Sequence, residues 1–124
     1  MSRDAVHVVL ADADGVYLER VQRACQEHGL VVVATAVNGE TALRYVGDMA
    51  PDALVMDVAL PDVAAWDVLA RVQTASPGTQ VFLVTSAFSV ALVQQAKARG
   101  VIKVFHKERA VLDDIAESVR LAVE

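Results

Sequence analysis

Apolar residues in this chain alternate between two kinds of segment. The first kind is a short, nearly unbroken run: Val6-His7-Val8-Val9-Leu10-Ala11, then Leu30 to Ala36, Ala53-Leu54-Val55-Met56, Val81-Phe82-Leu83-Val84-Thr85, and Val101 to His106. Runs of this length, rich in β-branched residues, read as strands buried on both faces. The second kind repeats at helical spacing. Leu18, Val21 and Cys25 mark a helix from Gly15 to His28 that Gly29 closes, and Ala42, Leu43 and Val46 mark another that Asn38 can cap. A third helix runs from about Ala65 to Ala75 with Leu69 and Val72 inward, before the turn Ser76-Pro77-Gly78. Ser89 can cap a fourth, which runs to Arg99 and stops at Gly100, and Val111, Ile115, Val119 and Ala122 line a last one. Cys25 therefore reads as core packing.

Five strands alternating with five helices through short connections predict an α/β fold: a doubly wound, five-stranded parallel sheet of (βα)5 type. Right-handed crossovers leave few topologies, and strand order 2-1-3-4-5, the flavodoxin-like order, is a common one. No low-complexity linker interrupts the pattern, so residues 1–124 are expected to form one domain. In that order the first and third strands meet at the switch point, where such sheets collect ligands at their carboxyl ends. Asp12 and Asp57 end those two strands, while Thr85 and Lys107 end the next two.

Composition narrows the picture. Hydrophobic residues make up 55% of the chain and the net charge is −5, which argues against disorder and against a surface built for nucleic acid or anionic lipid. A single cysteine allows no internal disulfide. The amino terminus Met1-Ser2-Arg3-Asp4 lacks a signal-peptide core and no apolar run reaches membrane-span length, so a soluble, cytoplasmic protein is expected.

Two carboxylates, a hydroxyl and a lysine at one rim form a coherent set. Carboxylates with waters suit Mg²⁺, and a metal with an ammonium can neutralise charge on a transferring phosphoryl group. Thr85 can donate to a phosphoryl oxygen, and Asp57 can be the nucleophile that carries an acyl phosphate. Each residue also has a plainer reading: Asp12 and Asp57 as turn or helix caps, Thr85 bonded to the backbone, Lys107 solvated. All four falling on strand ends by chance is the weaker explanation.

These positions, with Pro61 four residues after Asp57, make the whole chain resemble a receiver domain of two-component response regulators (the CheY-like superfamily). The resemblance implies phosphorylation of Asp57 by a sensor histidine kinase, with Asp12 and Asp57 holding Mg²⁺ and Thr85 and Lys107 completing the site. It implies a phosphoacceptor rather than an enzyme, with at most self-catalysed phosphorylation and dephosphorylation. The state would be relayed through the face of the fourth helix, fifth strand and fifth helix to a homodimer, an effector domain or a downstream protein. Direct nucleic-acid contact by this domain and membrane contact are not expected. Several positions depart from the family pattern: Ala13 replaces the second of two adjacent acids, Asp14 falls one place late, Ala64-Ala65 stands for Asp-Gly, and Val104 and Glu108 stand for an aromatic residue and a proline. The metal site is accordingly expected to be weakened.

Other readings compete. A receiver-like module that binds a partner without phosphate fits Ala13 and Val104. Asp12-Ala13-Asp14-Gly15-Val16 also fits the first motif of haloacid-dehalogenase-like phosphatases, although Asp113-Asp114, the available later acid pair, sits inside a helical pattern. A flavodoxin-like FMN site would need a phosphate loop that the first turn lacks. Trp66 reads as cover for the edge of the core before a partner anchor, and His106 as a packing or surface residue. Leu92, Val93, Val101 and Val104 are expected to form an exposed apolar output face.

Overall fold

The computed structural model describes residues 5–124, so the amino-terminal Met1-Ser2-Arg3-Asp4 lies outside the described residues. Its elements alternate strictly: β1 (His7–Ala11), α1 (Gly15–Glu27), β2 (Val31–Ala36), α2 (Gly39–Met49), β3 (Ala53–Asp57), α3 (Ala65–Ala75), β4 (Gln80–Thr85), α4 (Val90–Ala98), β5 (Lys103–His106) and α5 (Leu112–Val123). All strand pairs are parallel and the order is β2-β1-β3-β4-β5, as the sequence predicts.

Alternation along the strands divides the interior into two layers. Val9, Leu54, Met56, Leu83 and Val104 pack with α2, α3 and α4, whereas Val8, Leu10, Val55, Phe82, Val84 and Phe105 pack with α1 and α5. Cys25 is fully buried in the second layer. Helices begin and end on local chemistry. Asn38 accepts from the Thr41 amide and Ser89 from the Leu92 amide, while Gly29 and Gly100 follow the ends of α1 and α4 with φ of +80° and +90°.

Two expectations change. The fifth strand starts at Lys103, because the Val101 amide bonds back to the Ala96 carbonyl and closes α4 instead of joining the sheet. Val111 is the N-terminal cap of α5 and is exposed, so it does not line that helix's core face as its spacing suggests.

The proposed apolar output face is also corrected. Val101 and Val104 are buried, and Leu92 and Val93 pack partly buried against the same core layer. A two-sided sheet needs apolar cover on both faces, and α4 supplies it here with Leu92 and Val93. The exposed large apolar residues of this region are Phe88, Val90, Ile102, Val111 and Leu121.

Candidate functional site

The carboxyl ends of β1 and β3 are adjacent, with Ala11 paired to Met56, so the residues that follow them share one depression at the sheet rim. Asp12 is buried and its Oδ1 accepts from the Asp14 amide at 2.8 Å. Asp57 ends β3, and its Oδ1 accepts from the Ala59 amide at 2.9 Å, which fixes the carboxylate against its own loop. Lys107 enters from beyond β5, where its amide bonds the Thr85 carbonyl at 2.8 Å. Its Nζ lies 2.9 Å from Asp12 Oδ2 and 2.9 Å from Asp57 Oδ2, with 12% of its side chain exposed. Residues 95 and 50 positions apart in sequence thus form one buried ion triad.

The charges perturb one another in understandable directions. Burial holds the Asp12 carboxyl above its usual range, against the Asp14 amide and the Lys107 ammonium, which favour its charged form. Burial works against the Lys107 ammonium as well, but hydrogen bonds to Asp57 and Asp12 outweigh it and hold the lysine above its ordinary value.

Thr85 is buried at the end of β4, and its hydroxyl oxygen accepts from the Ala87 amide at 3.0 Å. A hydroxyl used this way keeps a proton to donate. The plainer reading of Thr85, a bond to the backbone, therefore describes its present partner and leaves the donor role open.

Asp14 does not replace the acid missing at position 13. Its Oδ1 accepts from the Val16 and Tyr17 amides at 3.0 and 3.2 Å, which makes it the N-terminal cap of α1. The phosphatase-like arrangement finds no geometric support, because its second acid is turned into a cap. Asp113 and Asp114 lie in the first turn of α5, where Asp113 pairs with His28 at 3.2 Å. His106 is half-buried with its ring 5.9 Å from that of Phe88, and Trp66 packs at the core rim beneath the Arg99 guanidinium.

Mg²⁺ is the ion implied by the fold family, and the donor set can be tested against it. Asp12 and Asp57 converge, but among the described residues no third acid, histidine or cysteine joins them. Mg²⁺ commonly takes one or two carboxylates with waters and phosphate oxygens, so two carboxylates fit a water-rich site. Lys107 already bridges them and must yield part of that position.

Two residues at the site escaped the sequence reading. Asp62, just after Pro61, accepts from the Gly39 amide at 2.6 Å and the Glu40 amide at 3.0 Å, pinning the loop after β3 onto the N-terminus of α2. Gly39 permits the approach, since a Cβ there would lie 2.9 Å from the Val63 Cβ. Tyr17, on the first turn of α1, presents its ring to Lys107 with Nζ 4.7 Å from the centroid. Neither contact has a local sequence signal, because the partners are 23 and 90 positions away.

Comparison with known proteins agrees with this fold. The receiver of Mycobacterium tuberculosis NarL, a putative response regulator, superposes with a TM-score of 0.89 at 26% identity over 98% of both chains. Among curated relatives, the probable transcriptional regulatory protein TcrX of M. tuberculosis is 34% identical over 85 residues, or 68% of this chain and 36% of that protein. The probable transcriptional regulatory protein NarL of the same species is 32% identical over 98 residues, or 78% of this chain and 45% of that protein. The chain thus spans less than half the length of these two relatives. No helix among the described residues is long and apolar enough to cross a membrane. Residues 8–120 match the model of the response regulator receiver domain, and the chain belongs to that family.

Proposed function

We propose that residues 1–124 act as a single cytoplasmic receiver domain whose Asp57 accepts a phosphoryl group from the histidine of a sensor kinase. The observation that carries this reading is the environment of Asp57: a carboxylate ending a buried strand, oriented by the Ala59 amide and paired at 2.9 Å with the Lys107 ammonium. In the transfer, a carboxylate oxygen forms the new bond to phosphorus. The bond from phosphorus to the donor breaks, and its electron pair leaves with the donor.

Lys107 offers positive charge to the oxygens of the incoming group, and the Thr85 hydroxyl can donate to one of them. Asp12 and Asp57 would hold Mg²⁺, which supplies further neutralisation of phosphoryl charge when bound. With Ala13 in place of an acid, that site is weak. The phosphorylated state would pass through the face of α4, β5 and α5 to a second copy, an effector domain or a downstream protein.

A second reading has an observation of its own. Lys107 ties Asp12 and Asp57 together, and Val104 is packed into the core, so a module that binds its partner without phosphate is compatible with the same fold. Incubation with acetyl phosphate and Mg²⁺, followed by mass spectrometry, separates the two. The phosphoacceptor reading expects one phosphoryl group on the wild type and none on Asp57→Asn. No modification under any donor or metal condition selects the phosphate-independent module, and modification at Asp12 selects the phosphatase-like chemistry.

A further inference from the structure

Lysine is an awkward cation to keep in a small pocket. Its ammonium is strongly hydrated, and its stem has four rotatable carbons that favour solvent. Yet the Lys107 Nζ is held with little exposure between two carboxylates, and its third neighbour is the face of Tyr17 at 4.7 Å. Aromatic faces attract ammonium groups through the ring quadrupole, most strongly where water is excluded.

Three further observations point to the ring itself. The Tyr17 hydroxyl is buried and has no hydrogen-bond partner among the described residues, so a polar contact does not account for the placement of this side chain. The ring also lines a cavity of about 10 Å³ together with Leu18, Val21, Val55 and Val84 and the two carboxylate residues Asp12 and Asp57. The space has room for at most about one water, so the ring packs close beneath the carboxylates with little solvent between.

The third observation is a closed circuit of contacts. Asp12 accepts from the Asp14 amide, and Asp14 accepts from the Tyr17 amide. The Tyr17 ring meets the Lys107 ammonium, which returns to Asp12. Asp14, the displaced acid of the first turn, thus sets the backbone from which the ring projects. Burial pushes the Tyr17 phenol up to about 12, so the ring stays neutral and keeps an attractive face at any ordinary pH.

We propose that Tyr17 is the positioning residue of this pocket, its ring seating the Lys107 ammonium between Asp12 and Asp57. This rests on the reading of Asp57 and Lys107 as the working pair. A seated lysine is the resident cation of the pocket, and Mg²⁺ must compete with it for the same two carboxylates.

The test varies the ring's charge distribution at constant shape. Tyr17 is replaced by Phe and then by mono- and pentafluorinated phenylalanine, and hydrogen exchange at the Lys107 Nζ is followed by NMR on ¹⁵N-lysine-labelled protein without metal. The Phe variant should exchange within about twofold of wild type, because the ring face survives. The pentafluorinated ring, whose quadrupole is reversed, should raise exchange by about tenfold, equivalent to about 1.4 kcal/mol. Half-saturation by Mg²⁺ should fall along the same series as the lysine is freed. Exchange that stays flat across folded variants overturns the assignment, as does a Phe variant that exchanges as fast as the pentafluorinated one. Since the exchange series is read without phosphate, its result stands or falls apart from whether Asp57 is phosphorylated.

Discussion

Replacing Lys107 with methionine keeps most of the aliphatic stem and deletes the charge that lies 2.9 Å from both Asp12 and Asp57. Those carboxylates are poorly solvated, with 5% and 12% of their side chains exposed. Removing one partner from a buried ion pair costs roughly 3–5 kcal/mol, because an uncompensated charge stays behind. The pocket opens at the sheet rim, so the low end, about 3 kcal/mol, is the expected loss near neutral pH. With a urea slope of roughly 2 kcal/mol per molar, the unfolding midpoint should fall by about 1.5 M. Two treatments should restore it. Acid protonates one carboxyl and removes the repulsion, and Mg²⁺ enters the vacated position, adding about 2.7 kcal/mol at a hundredfold excess over its dissociation constant. Urea unfolding followed by Trp66 fluorescence and circular dichroism, with EDTA or Mg²⁺ and at several pH values, reads all three effects. If Lys107→Met unfolds at the wild-type midpoint in EDTA, or gains no more from Mg²⁺ than wild type does, the ammonium is not neutralising this pocket.

Three other substitutions test neighbouring parts of the site. Ala13→Asp should tighten Mg²⁺ by about tenfold, a gain near 1.4 kcal/mol, while Asp14→Ala should leave Mg²⁺ affinity in place and lower helix stability through the lost cap; calorimetric titration and thermal melts separate the two. Hydrogen bonds from the Glu40 and Gly39 amides hold the Asp62 carboxyl below its usual value, so its contribution is present above pH 3.8 and is lost as pH falls through the lower folded value. Asp62→Ala should therefore lower the urea midpoint at neutral pH and narrow its gap to wild type in acid. Asp12 acts in the opposite sense: its raised carboxyl stabilises below pH 3.8, and that contribution disappears as pH rises.

Much of the fold was legible because the two faces of this sheet impose different demands. Strands such as Leu54-Val55-Met56 must be apolar at every position, and helices such as α1 only along one stripe, so runs and periods alternate visibly. Caps were legible for the same local reason: Asn38 and Ser89 serve residues three positions ahead. Exposure was harder. Val101 and Val104 read as spare apolar surface from the sequence, but they fill the layer beneath α4. Val111 fits a helical period and yet precedes the helix. At the site, strand ends marked Asp12, Asp57, Thr85 and Lys107, whereas Asp62 and Tyr17 have meaning only through partners brought close by the crossovers.

The pinning of the loop after β3 has a mechanical consequence. On that side of the rim, Asp62 bonds two amides of α2, and Val63 rests where a side chain on Gly39 would otherwise stand. On the opposite side, residues 86–89 are exposed; there Ser86 meets Glu108 at 2.7 Å and Ala87 meets Thr85 at 3.0 Å. The depression therefore has one bank tied to a helix and one bank open to solvent. Toward Thr85, Ser86 and the start of α4 fewer buried side chains stand in the way than toward α2 and α3.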